Sequence, residues 1–294
     1  MRGGPFTALA TLMFALGAFA YPTSAQPKSQ HTGQPTAASP AQPTVKKQTK
    51  KPGKGKVITH ADILKNFEII AFGSEYSGRK YQYVRKWKKP IYVGLQGKTT
   101  PEFEQIFSQI MHRLRKLTKH PIQLRYSYGM KKAGRLPPGF DPKNSGINVL
   151  FFFYPRKELP ERTKRYFKNS PKQLRTLYKK GATCVARVNA TRPQKNPTKA
   201  GEINWAVITI PSELPANYLK VCVLEEFTQI LGLPNDTLED FPTSFKDRNR
   251  IWDLTKYDKM MIKALYDPRI KPGMPKADAL VISRGIFLRL NGGK

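Results

Sequence analysis

Histidine, cysteine and acid are all scarce in this chain. Only four histidines occur, His31, His60, His112 and His120. None lies beyond residue 120, so no helix in the second half can carry the His pair, one turn apart, of a helical zinc site. The two cysteines, Cys184 and Cys222, are too few for a soft-ligand metal cluster. Acidic residues number 20 against 52 Lys and Arg, for a formal charge of +32. No Walker loop, GxGxxG turn, nucleophile elbow or Cys-x-x-Cys knuckle is present, so the reaction classes those motifs serve lose their support. Long apolar runs are lacking too, apart from one near the N-terminus.

What is present begins with that run. Arg2 gives a positive start, residues 6–21 are apolar over the length of a signal peptide, and small residues follow at Ala18-Phe19-Ala20 and Thr23-Ser24-Ala25. Residues 1–25 therefore read as a secretory signal. As an uncleaved anchor the run is short, since a bilayer span needs about 20 apolar residues. Residues 26–56 are mostly Pro, Gln, Thr, Ala and Lys, a composition that cannot offset its own ordering entropy and reads as a disordered linker.

The linker holds seven lysines and no acid. Setting these and Arg2 aside leaves +24 on residues 57–294, which read as one folded domain. Such a charge implies either anionic surroundings or a surface kept charged for solubility. In an exported protein the anionic partner would be an envelope polymer or an anionic lipid surface, with nucleic acid a weaker third choice. Export points to the periplasm or the exterior. There an isolated cysteine pair favours one disulfide, Cys184 to Cys222, over two free thiols.

Along the domain, Thr59 with Asp62 forms a capping-box pattern before a short helix. Residues 80–89 interleave Tyr81, Tyr83 and Trp87 with five cations, which suits stacking on nucleic acid or glycan, or a half-exposed edge strand; the edge strand is the favoured reading. Thr100 and Pro101 open a helix over 101–118, whose Phe103, Ile106, Phe107, Ile110, Met111, Leu114 and Leu117 follow one buried face. Strands are expected at 91–95, 122–128, 147–154, 184–188 and 203–210, with 148–154 apolar on both faces like a central strand. Helical stretches are expected at 158–180 and 216–231, and a last one at 257–266 with Thr255 as cap. This order predicts an α/β (α+β) domain with a mixed twisted sheet and a long helix packed on it.

The segment from Cys222 to Asp236 carries the chemical question. On a helical wheel Val223, Leu224, Phe227, Ile230 and Leu231 share a core face, while Cys222, Glu225, Glu226 and Gln229 share the other. Glu225 and Gln229 stand one turn apart, and Gly232 permits an exit that brings Asn235 and Asp236 back toward them. The face admits three uses: polar contacts to a neighbouring loop, acid–base chemistry by Glu226 with Glu225, or a metal on Glu225, Gln229, Asn235 and Asp236. Those oxygen donors would suit calcium or magnesium and not zinc, and no cofactor is expected.

Four motifs, Phe72-Gly-Ser-Glu-Tyr76, Lys86-Trp-Lys-Lys-Pro-Ile91, the Cys222–Asp236 stretch and Leu265-Tyr-Asp-Pro-Arg-Ile-Lys-Pro-Gly-Met274, recur together in one family. Over residues 65–285 the chain resembles the bacterial exported domain-of-unknown-function family numbered twenty-nine twenty-seven. It is distantly similar to metzincin-type zincin proteases, whose helix reads H-E-x-x-H-x-x-G-x-x-H. In that frame Glu225, Gln229 and Asn235 replace the three His, and only Glu226 and Gly232 match. The resemblance implies a zincin-like fold, with residues 203–210 as the strand before a degenerate active-site helix and 254–266 as the closing helix. It also sets Thr243-Ser-Phe245 at the Met-turn. It implies no zinc proteolysis.

The sequence thus favours an exported, non-peptidase, basic domain that binds anionic polymers or partners. The alternative is a hydrolase using Glu226 and Glu225, with or without a non-zinc metal.

Overall fold

A computed structural model of the chain describes residues 57–75, 78–142, 144–166, 170–246 and 253–292. The expected signal and linker, residues 1–56, lie outside the described residues, which all belong to one compact unit, Gly55–Lys294. Local side chains set the first helices. The Thr59 hydroxyl accepts from the Asp62 N–H at 3.2 Å, and the Asp62 carboxylate accepts from the Thr59 N–H at 2.9 Å, opening α1 (His60–Phe72). Thr100 likewise accepts from the Phe103 N–H to start α2 (Pro101–Thr118), which ends where Lys119 turns left-handed at φ 54°.

The strands are β1 (Lys86–Trp87), β2 (Ile91–Gln96), β3 (Ile122–Tyr126), β4 (Val149–Tyr154), β5 (Val185–Ala190) and β6 (Glu202–Pro211). They form one sheet in which β4 lies between β2 and β6, as its apolar sequence predicts. Phe151 pairs with Leu95 on one side and Ile208 on the other. β3 extends the sheet beyond β2, and β1 continues the β4 edge of β6 at Glu202 and Ile203. All these pairings are parallel. β5 runs antiparallel along the opposite edge of β6.

Alternation along β4 builds a layer on each face of the sheet. Phe151 and Phe153 meet Phe107 and Phe103 of α2 at ring separations of 4.8 and 4.4 Å. Phe107 also stacks at 5.7 Å on Phe227 of the next long helix, α6 (Ala216–Ile230). Phe152 points the other way, to Leu159 of α4 (Leu159–Arg162) and Leu174 of α5 (Ser170–Lys179). A short α3 (Tyr128–Lys132) follows β3, capped by Ser127. α7 (Lys256–Leu265) starts with a second capping box, Thr255 and Asp258, and α8 (Lys276–Leu290) packs Phe287 against Phe67 of α1 at 5.6 Å.

Three expectations are corrected. Residues 80–89 do not form one half-exposed edge strand: only Lys86–Trp87 form a strand, Tyr83 makes an isolated bridge to Pro275, and Val84, Arg85, Lys86 and Trp87 are buried. The reason is tertiary. The Trp87 indole N–H donates to the Ile230 carbonyl at 2.8 Å, and the Lys86 ammonium donates to Leu265 and Ile270 carbonyls, both at 2.8 Å. Those buried groups are therefore withheld from stacking on a nucleic acid or glycan.

The stretch 158–180 is not one helix but two, α4 and α5, the second with Pro171 in its first turn, where a missing N–H costs nothing. Helix 257–266 is not the last, because α8 follows it. Apolar residues lie all round α8, with Val281, Leu288 and Leu290 exposed, so no single buried stripe announces it.

Candidate functional site

α6 is fixed at both ends of its polar face. Near its middle, Cys222 is joined by a disulfide to Cys184, just before β5, as the sequence reading expects. At its C-terminus Gly232 adopts φ +119°, and a Cβ there would lie 2.1 Å from the Arg85 carbonyl oxygen. Only glycine allows the buried 84–87 segment to pass this close. Val223, Leu224, Phe227, Ile230 and Leu231 are buried, as the wheel predicts.

The polar face is buried too, which the wheel does not predict. Cys222, Glu226 and Gln229 are all nearly inaccessible, and only Glu225 is half-exposed. One Glu226 oxygen has no hydrogen-bond partner among the described residues, while its carboxyl is bonded to the Ala186 backbone of β5. Burial first, then the charges of Glu225, Glu75 and Asp236, push the Glu226 carboxyl well above the usual carboxylate range. The group lines the foot of a cleft.

That cleft has a volume of about 360 Å³ and is lined by Glu75, Glu225 and Glu226 with residues 180–184 and Leu177. Of the residues singled out in the sequence it brings Glu225 and Glu226 together. Gln229 sits behind them, its amide donating to the Glu75 carboxylate at 3.4 Å. Asn235 is turned away: its amide donates to the carbonyls of Ile69 and Asp236 at 3.1 and 2.9 Å, which locks the turn onto α1. Asp236 acts on Glu226 through its charge but does not line the cleft. Among the described residues no group of three His, Cys, Asp or Glu is placed to hold a metal ion. At the expected Met-turn, Thr243 and Ser244 bond to the Asp258 carboxylate at the start of α7, and Phe245 is buried.

Glu75 is a member that the chemical reading of α6 missed, because it comes from 154 residues away. Its one signal is its place inside the Phe72–Tyr76 motif.

A second concavity, of about 860 Å³, escaped the sequence reading altogether. Lys116 and Lys119 from the end of α2, Lys259 and Lys263 from α7, Arg289 from α8 and the buried Lys86 converge on it. Asp267 is the single acid in the groove, and its carboxylate is held by Arg269 at 2.8 and 3.0 Å. Arg113, also in the groove, is paired with Asp253 at 2.6 Å. Lys116, Lys119, Lys259, Lys263 and Arg289 have no ion-pair partner among the described residues. His120 lies at its edge, bonded to the Lys89 carbonyl at 2.8 Å and lowered by burial below its usual pKa. The i, i+4 spacing of Lys259 and Lys263 is the only sequence trace of this groove.

Comparison with known proteins finds one family model, described as Protein of unknown function (DUF2927), which matches residues 60–284. No curated protein and no solved structure matches the chain.

Proposed function

Because the chain belongs to the DUF2927 family, whose description assigns no activity, we propose from its own groove that it is an exported, non-peptidase domain that docks onto an anionic envelope partner. The observation that carries this reading is the convergence of five cations from three helices, none in a close ion pair among the described residues, on one concavity whose single acid among them, Asp267, is held by Arg269 and lies in the field of Arg289. Solubility requires dispersed charge. A concave cluster of one sign instead raises the local concentration of counter-ions and acidic ligands. Export is supported by the leader-like start of the sequence and by the disulfide, a bond that persists in oxidising compartments. Among the described residues no helix is long and apolar enough to cross a membrane.

A zincin-like build is supported by the order of β6, α6 and the Gly232 turn, with antiparallel β5 flanking β6 beside the helix. Proteolysis is disfavoured by the donor chemistry: a carboxylate, an amide bonded to Glu75 and an amide bonded to backbone carbonyls stand at the three His positions. The test is equilibrium binding of soluble long-chain polyphosphate to the full chain. Lys116→Glu with Lys263→Glu should weaken it at least tenfold, while reversing the exposed Lys172 and Lys179 of α5 should change it little. Equal effects of the two pairs would reduce the groove to general surface charge.

A second reading, the hydrolase, is favoured by one observation, the buried Glu226 carboxyl lining a cleft beside Glu225, raised by burial and neighbouring charges above the usual carboxylate range. An acid raised in this way can protonate a leaving group while a neighbouring carboxylate accepts a proton from water. Hydrolysis of an envelope glycan or ester that survives Glu226→Gln would remove it.

A further inference from the structure

We propose that Lys86 forms the floor of an end-group subsite in the groove, where it takes a terminal phosphate of the ligand. The inference rests on the reading that the groove binds an anionic partner, and it names the chemical group recognised. The observation behind it is a buried cation without a counter-charge. Lys86 is 7 % exposed, whereas Lys116, Lys119, Lys263 and Arg289 around the same concavity are exposed. The exposed four make the rim and Lys86 the floor.

A lysine ammonium has three N–H donors. Two of those on Lys86 donate to the carbonyls of Leu265 and Ile270, both at 2.8 Å, and among the described residues the third has no acceptor. Nor does Lys86 enter a close ion pair there. The acid that acts on it, Asp267, is held by Arg269, and Lys271 adds a like charge from the adjoining concavity. Tyr266, whose ring lies 4.9 Å from the ammonium, and His120, which feels its charge, both line the groove. These neighbours set the ammonium on the groove side. Burial first, then Lys271, pull its pKa down to about 8, as expected for a cation that the protein alone does not compensate.

A buried charge is tolerated when it is both paired and hydrogen-bonded. A terminal phosphate brings up to about two negative charges near neutral pH and three acceptor oxygens, enough for Lys86 and the rim together. A carboxylate or a sulfate ester brings only one charge. An internal phosphodiester also carries one, and its chain leaves on both sides, which keeps it among the exposed cations. The floor is reached by an end.

The test is titration calorimetry of the full chain at pH 7 with two soluble probes of similar charge. Linear tripolyphosphate has terminal phosphates, and cyclic tetrametaphosphate has none. The linear probe should bind about tenfold tighter or more, the effect of one charged hydrogen bond. Lys86→Gln should bring the two affinities to within about twofold of each other, because the charge on that bond is gone. Without any variant, the wild-type preference should shrink between pH 7 and 9, as Lys86 loses its proton while the ends of the linear probe keep their charge. Equal binding of the two probes, or a preference that survives Lys86→Gln, would overturn the end-group subsite and leave the groove a general anion site. Failure of both probes to bind would overturn the proposed function as well.

Discussion

At Glu226 the protein buries a carboxyl at the edge of a cleft, and the pH dependence of that choice has a definite sign. Its folded pKa is raised above the ordinary 4.5, so the native state holds a proton that the unfolded chain has already lost. Stability is therefore drained as pH rises above 4.5 and until the folded pKa is reached. Glu226→Gln mimics the protonated form. Its melting temperature should match the wild type near pH 4 and exceed it increasingly toward pH 7, by about 2–4 °C for each kcal/mol recovered. A gap that stays constant with pH would mean that Glu226 is ionised in the fold.

Lys86 titrates in the opposite sense, pulled down to about 8 by burial and by Lys271 against the opposing charge of Asp267. Below that pH it adds its charge to the groove. Above it the charge is lost. Binding of polyphosphate, followed by fluorescence anisotropy, should weaken between pH 7 and 9, and Lys86→Gln should abolish that step. His120, lowered by burial, is already neutral across this range.

Among the elements, α6 is held by one covalent and one steric device. The disulfide closes a separation of 38 residues and should stabilise by about 3–4 kcal/mol, so reduction should lower the unfolding free energy extrapolated from urea titration by about that amount. Gly232→Ala should destabilise by about 3 kcal/mol or more, because it meets both the positive φ and the Arg85 carbonyl.

Much of this level was legible in the sequence. Capping boxes, the Pro101 start and the apolar run of β4 are local signals, and local signals found α1, α2, β4 and α7. α8 was missed because its exposed Val281 and Leu288 erase the periodicity that marks a buried face. Residues 80–89 were misjudged because the partners that bury Lys86 and Trp87 come from more than 140 residues away. The same limit governs the sites: Glu225 and Glu226 sit in a recognisable frame, while Glu75 and the groove lysines meet only through the fold.

For the whole molecule, a basic charge spread over a sequence becomes a located property. The α6 cleft is smaller and carries three acids; the groove between α2, α7 and α8 is larger and cationic. The two are chemically opposite, so a single ligand cannot serve both. The central claim is that the groove is the anion-binding site. The most direct measurement is the affinity for soluble polyphosphate between 50 and 200 mM salt, for the wild type and for Lys116→Glu with Lys263→Glu. Release of condensed counter-ions predicts a steep linear fall of log affinity with log salt, and a shallower slope for the variant. A salt-independent affinity, or identical slopes for the two proteins, would contradict it.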